Sequence, residues 1–247
     1  MSTIVRRGIR TKRRTRIYYR EQLLGNSIGI MAATPPDIYA RLVQSRKECR
    51  LCESLGLTNP AACEGGIYDS DNLGPWSSWH GKLNPRLMII GQDWGDTKCY
   101  RKQRGIEDPN SATNKKLTYL VGLIGLDMDS VFLTNAVLCL KEGGAQAPVR
   151  QEWFRNCGEQ FLKRTIEIVN PRVLVTLGEC SFWSLRELFQ LPRISFRKAV
   201  DKVDGFNLPD RKRLFPVYHC SCRILNTHRP LAQPEKDWAR IKRAVSD

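Results

Sequence analysis

Four short apolar runs punctuate the middle and end of the chain, at Arg86–Ile90, Val131–Thr134, Val173–Leu177 and Leu214–Tyr218. Each is four to five mainly apolar residues, the pattern of strands buried on both faces. Between them, Asn114–Ile124, Gln151–Val169 and Ser181–Leu191 carry apolar residues at three- and four-residue intervals, as in Phe154, Cys157, Phe161, Leu162, Ile166 and Val169. That spacing predicts amphipathic helices. A short helix at Asp37–Arg46 follows the Pro35-Pro36 break, and a last one runs from Pro234 to Val245. Strands alternating with helices predict an α/β fold, a three-layer α/β/α sandwich around a central, mainly parallel four-stranded sheet. Asn59–Lys82 has neither period and is rich in Gly, Pro, Ser, Asn and Trp, so a long loop is expected there.

Composition changes this picture at the amino-terminal end. The 247 residues carry a formal charge of +15 and are 41% hydrophobic, enough for one sizeable core. Eight basic residues and no acid fall between Met1 and Arg20, so this stretch holds +8 of the +15. It cannot bury an apolar face, and disorder is expected until it meets a phosphate backbone. Residues 1–33 are therefore expected to be a basic arm and 34–247 the folded domain. The charge asks for a polyanionic partner, DNA first. No run approaches the roughly 18 apolar residues of a membrane span. Nine cysteines without an export signal favour metal ligands or reactive thiols over disulfides. A reducing, cytoplasmic, nucleoid- or DNA-associated location is expected, with no obligate protein partner evident.

In an open parallel sheet, ligands bind beyond the carboxyl ends of the strands. Those ends are polar here. The first run leads into Gly91-Gln92-Asp93-Trp94-Gly95, the second into Asn135, the third into Gly178-Glu179 and the fourth into His219. Singly, an Asp beside glycines is a turn residue, an Asn holds a loop, and a lone His is structural. Together they place an acid, an amide and an imidazole around one crevice.

The ordered set resembles the uracil-DNA glycosylase superfamily over roughly residues 45–245. Leu87–Gly95 resembles the family's first motif, Val131–Cys139 its asparagine-bearing strand, Asn170–Gly178 the intervening strand, and Pro216–His219 the strand leading to its histidine motif. The resemblance implies a monofunctional hydrolase that flips a base from the stack and cleaves its N-glycosidic bond without a lysine Schiff base. Asp93 would position water and stabilise the sugar cation, and His219 would stabilise the departing base. Asn135 would read the pyrimidine edge, with Gly91 and Gln92 beside it. Trp94 or Tyr100 would supply an aromatic platform. After His219 the family has a proline and a wedge loop. Cys220 stands in the proline's place, so Arg223, Ile224 and Leu225 are all eligible wedges, and His228 rivals His219.

Cys49-Arg-Leu-Cys52 has the spacing of a ligand hairpin. The iron–sulphur branch of the superfamily places two further ligands after the asparagine strand and in the next helix, which Cys139 and Cys157 match. Resemblance thus implies a [4Fe–4S] cluster on Cys49, Cys52, Cys139 and Cys157. Spacing alone allows zinc, and Cys220 with Cys222 is a rival second pair. Gly95 stands where some members place a tyrosine against C5-substituted pyrimidines, so uracil or a larger modified pyrimidine is the expected substrate. The competing functional class is a metal-bearing nucleic-acid-binding protein with this fold and no catalysis. A zinc deaminase lacks its signature here, and the acids are not clustered as in a two-metal nuclease.

Overall fold

A computed structural model describes residues 33–73, 83–144, 147–221, 223–224 and 232–246. The basic arm, the 74–82 part of the long loop, Cys222, Leu225 and His228 lie outside them.

Thr34 starts the first helix, α1 (Pro35–Glu48), through a capping box. Its backbone N–H donates to Asp37 Oδ2 at 3.0 Å, and its hydroxyl accepts from the Asp37 N–H at 3.4 Å. Two prolines follow in the first turn, where their missing N–H groups cost nothing. The chain continues through a 3-10 segment (Pro60–Gly66), β1 (Leu87–Gly91), α2 (Thr97–Lys102), α3 (Ala112–Leu123), β2 (Phe132–Asn135), α4 (Gln151–Cys157), α5 (Lys163–Val169), β3 (Val173–Leu177) and α6 (Glu179–Leu188). It closes with α7 (Phe196–Val200), β4 (Phe206–Asn207), β5 (Arg213–Val217) and α8 (Ala232–Ser246).

The sheet has five strands in the order β2-β1-β3-β5-β4. The first four in that order are parallel, and each matches one of the apolar runs. The fifth corrects the expected count of four: β4 is an antiparallel edge of two residues, Phe206 opposite Leu214 and Asn207 opposite Arg213. Two residues are too few to show a period-two pattern. A second correction concerns the nineteen-residue helix expected at Gln151–Val169. It is interrupted by a π-helical turn at Gly158–Leu162, directly after Cys157, and a single extra residue per turn leaves the apolar spacing almost unchanged.

Alternation along the strands builds two cores. Met88, Ile90, Phe132, Leu174 and Leu214 face one side with α1, α4, α5, α6 and α7. Leu87, Ile89, Leu133, Val173, Val175, Phe215 and Val217 face the other, covered by α3 through Leu117, Leu120 and Val121 and by α8 through Trp238, Ile241 and Val245. All carboxyl ends of the parallel strands reach one edge, where the polar residues collect.

Candidate active site

Asp93 follows β1 in a turn that its own side chain closes. Oδ1 accepts the Gly95 N–H at 2.8 Å, and Gly95 takes φ +86°, a region that glycine enters without strain. Oδ2 accepts from Gln92 Nε2 at 2.7 Å and from Lys141 Nζ at 2.8 Å. Both side chains of the ion pair are nearly covered, Lys141 at 2% and Asp93 at 10% exposure. Lys141 escaped the sequence reading because a lysine beyond a strand normally belongs to the surface. The signal was present in the apolar run Ala136–Leu140, every residue of which is buried, so the chain stays inside beyond Asn135. Backbone bonds fix it there: the Lys141 N–H donates to the Gly95 carbonyl, and the Thr97 N–H to the Lys141 carbonyl, each at 3.0 Å.

Asn135 ends β2 opposite Gly91. Asn135 is 5% exposed, and its Nδ2 has no hydrogen-bond partner among the described residues. Buried amide donors rarely go unpaired. Gly91 is required at its position, because a Cβ there would overlap Asn135 Oδ1.

His219 follows β5 by one residue. Its Nδ1 accepts the Ser221 N–H at 3.1 Å, which leaves the proton of the neutral ring on Nε2. Burial holds its pKa below the ordinary 6.5, opposed by the nearby Asp93 carboxylate. His219 lines a pocket with Gly178, Glu179, Phe196, Tyr218 and Ile224. Arg223 is exposed beside it. Asp93, Gln92, Lys141, Asn135 and His219 thus gather at one edge of the sheet.

The two aromatic candidates do not offer a ring face. Trp94 is 2% exposed, with the Arg46 guanidinium 5.9 Å from its ring centre. Tyr100 is fully buried, and its hydroxyl donates to the Tyr68 carbonyl at 2.7 Å. Their apolar bulk fills the core between α1 and the first motif, and the Trp94 Nε1–H has no acceptor among the described residues.

Cys49, Cys52, Cys139 and Cys157 line a single small cavity. Two features bring them together. Thr58 and Leu140 exchange backbone hydrogen bonds, each 2.8 Å, tying the segment after Cys52 to Cys139. Asn59 Nδ2 donates to the carbonyls of Arg46 and Cys49 at 2.8 and 2.9 Å, fixing the end of α1. Burial pushes the Cys157 thiol up to about 12, and burial with the other three thiols raises Cys139. Asn156 Nδ2 lies 3.4 Å from Cys52 Sγ as a donor. Among the described residues, no group of three or more His, Cys, Asp or Glu side chains is arranged to hold a metal ion. The rival zinc pairing fails on topology. Cys220 belongs to the core on the opposite face of the sheet, with its thiol directed at the Thr113 carbonyl at 3.6 Å, whereas Cys52, Cys139 and Cys157 belong to the first face.

An open parallel sheet with an acid, an amide and an imidazole at its carboxyl edge is an α/β protein built to receive a polar ligand there. The chain belongs to the uracil DNA glycosylase superfamily, whose family model matches residues 78–243. It is 28% identical over 169 residues to a type-4 uracil-DNA glycosylase of Saccharolobus solfataricus, covering 67% of this chain and 74% of that protein. It is 26% identical over 213 residues to a type-5 uracil-DNA glycosylase of Pyrobaculum aerophilum, covering 79% and 88%. Among the described residues, no helix is long and apolar enough to cross a membrane.

Proposed function

We propose that the protein is a DNA glycosylase that hydrolyses the N-glycosidic bond of uracil or a related modified pyrimidine, leaving an abasic site. The observation that carries this reading is the unpartnered, buried Asn135 amide beside the first motif. Its donor and acceptor match the O4 and N3–H of a pyrimidine lifted out of the helix. Cleavage leaves negative charge on the base and positive charge on C1′. His219, neutral with the proton on Nε2, donates to the base O2 as that oxygen gains charge, and a donor placed before the reaction needs no reorganisation. Asp93 aligns water against C1′. Its carboxylate is held by three donors, so its direction is set by Lys141, Gln92 and the Gly95 amide.

Gly95 leaves its side-chain direction open, with nothing among the described residues within 4 Å of where a Cβ would stand. That openness supports a substrate class extending beyond uracil to pyrimidines enlarged at C5. The basic arm and Arg223 would supply phosphate contacts, with Ile224 the apolar wedge candidate among the described residues.

Cys49, Cys52, Cys139 and Cys157 are the residues that would hold a [4Fe–4S] cluster. The donor set fits: four thiols face one cavity, and none needs to converge on a single point, as a zinc ion with sulphurs about 2.3 Å away demands. When bound, the cluster supplies a structural tie between α1, the segment after β2 and α4. Every catalytic role is left to the side chains at the sheet edge.

End-labelled oligonucleotides carrying uracil or C5-modified pyrimidines, followed by alkaline cleavage, test the activity. Strand breakage is expected, and His219→Ala should lower the rate by roughly 100- to 1,000-fold. Full activity in Asp93→Asn, Asn135→Ala and His219→Ala alike would reject the site. Binding without cleavage on any substrate would favour the noncatalytic alternative. Iron and sulphide in equal, stoichiometric amounts are expected after anaerobic purification, and zinc in their place would reject the cluster.

A further inference from the structure

Beside the candidate active site, a cleft of about 690 Å³ opens between α4 and α6, within the roughly 300–1,000 Å³ typical of ligand sites. Cys180 is part of its lining, and the Asp93 and Lys141 charges both act on its thiol. Trp183 stands on its wall at 39% exposure, one of eight large apolar side chains left open among the described residues. Arg155, Arg186 and Arg193 line it as well. Arg155 is committed to Glu187 at 3.4 Å, which leaves Arg186 and Arg193 as its surplus of positive charge. Ser184, also in the lining, is 5% exposed, and its hydroxyl has no hydrogen-bond partner among the described residues.

An exposed indole flanked by guanidinium groups is the composition of a surface that stacks unpaired bases and follows a phosphate chain. A paired base inside a duplex has both faces covered by its neighbours and cannot stack on Trp183. We propose that this cleft binds a single-stranded stretch of DNA flanking the target nucleotide, with a base on Trp183 and phosphates on Arg186 and Arg193. The proposal rests on the DNA-glycosylase reading of the adjacent site, and it adds the strand state of the substrate. The Ser184 hydroxyl supplies a donor within the cleft for a phosphate or base oxygen.

The test uses the full chain and a deoxythymidine oligomer, which contains no base to excise, so binding is read independently of catalysis. Trp183→Ala is expected to weaken the oligomer by roughly 5- to 100-fold, with Trp183→Phe retaining most of the affinity. Arg186→Ala with Arg193→Ala should lower the slope of log affinity against log salt by about 1.4, the value for two single-strand phosphate contacts. Blunt duplex of the same length should bind all variants as it binds the parent protein. The proposal is overturned if oligomer affinity and salt slope are unchanged in both variants, or if blunt duplex loses affinity equally. It is overturned equally if polyglutamate competes as well as the oligomer, since the cleft would then take any acidic chain. Oligomer binding lost in the variants, in a protein that excises no base, would sink the glycosylase reading and leave the cleft standing.

Discussion

Lys141 Nζ lies 2.8 Å from Asp93 Oδ2, and the two side chains are 2% and 10% exposed. A buried pair of this kind contributes little over an apolar substitute, but its halves depend strongly on each other. Removing one partner leaves a desolvated charge without its counter-ion, at a cost of about 3–5 kcal/mol. Lys141→Met is therefore expected to destabilise the protein by about 3 kcal/mol or more in urea unfolding. Lys141→Met combined with Asp93→Asn should be more stable than Lys141→Met alone. Additive losses would show that the two side chains do not depend on each other. The same coupling bears on kinetics: Asp93→Asn takes the counter-ion from the Lys141 ammonium group, so its activity loss is best read against the double variant.

The four parallel strands were legible because strands buried on both faces must be mainly apolar, and these runs alternate along the chain with segments of helical period. The residues at their ends were legible for a topological reason: parallel strands deliver all their carboxyl ends to one edge. What was not legible depends on length or on tertiary charge. The helix α2, six residues long, and α7, with five, are shorter than two helical turns, so no periodic stripe can announce them. Lys141 reads as a surface lysine until Asp93 is placed opposite it across 48 residues of chain. Trp94 and Tyr100 read as platforms because they adjoin the first motif, yet their area is spent in the core, where aromatic side chains contribute most.

Gly91 and Asn135 form the tightest steric relationship at the site. A methyl group at Gly91 would occupy the position of Asn135 Oδ1, so Gly91→Ala must displace the amide or the strand. Overpacking of this kind costs about 1–3 kcal/mol. Gly91→Ala is expected to fold with a lowered unfolding midpoint and to lose activity nearly as far as Asn135→Ala does. Retention of full activity with the amide undisturbed would contradict the reading of Asn135 as the base-recognising group.

Gly95 carries φ +86° and open space where a side chain would project. A tyrosine there meets backbone strain of about 1–3 kcal/mol and fills that open space. Gly95→Tyr should reduce cleavage of C5-enlarged pyrimidines far more than cleavage of uracil, measured as a ratio of kcat/KM values. Equal losses on both substrates would mean that this direction does not face the C5 position.

His219 has an acid-side dependence with a definite sign. Burial lowers its pKa below 6.5, and the Asp93 carboxylate only partly opposes this. The unfolded chain therefore takes up the proton more readily than the folded one. The corresponding stability is complete above about pH 6.5 and is lost as pH falls below it toward the folded-state value. Activity follows the same direction for a different reason. With Nδ1 occupied as an acceptor of the Ser221 N–H, protonation must break that bond and turn both ring nitrogens into donors, so the imidazole loses its fixed orientation. The kcat/KM profile is expected to be level through pH 7 and to fall on an acid limb whose midpoint lies below 6.5. That limb should be absent from the residual activity of His219→Asn. A midpoint above 6.5, followed in parallel by the imidazole proton resonances, would place a charged histidine at the site and overturn the neutral-donor mechanism.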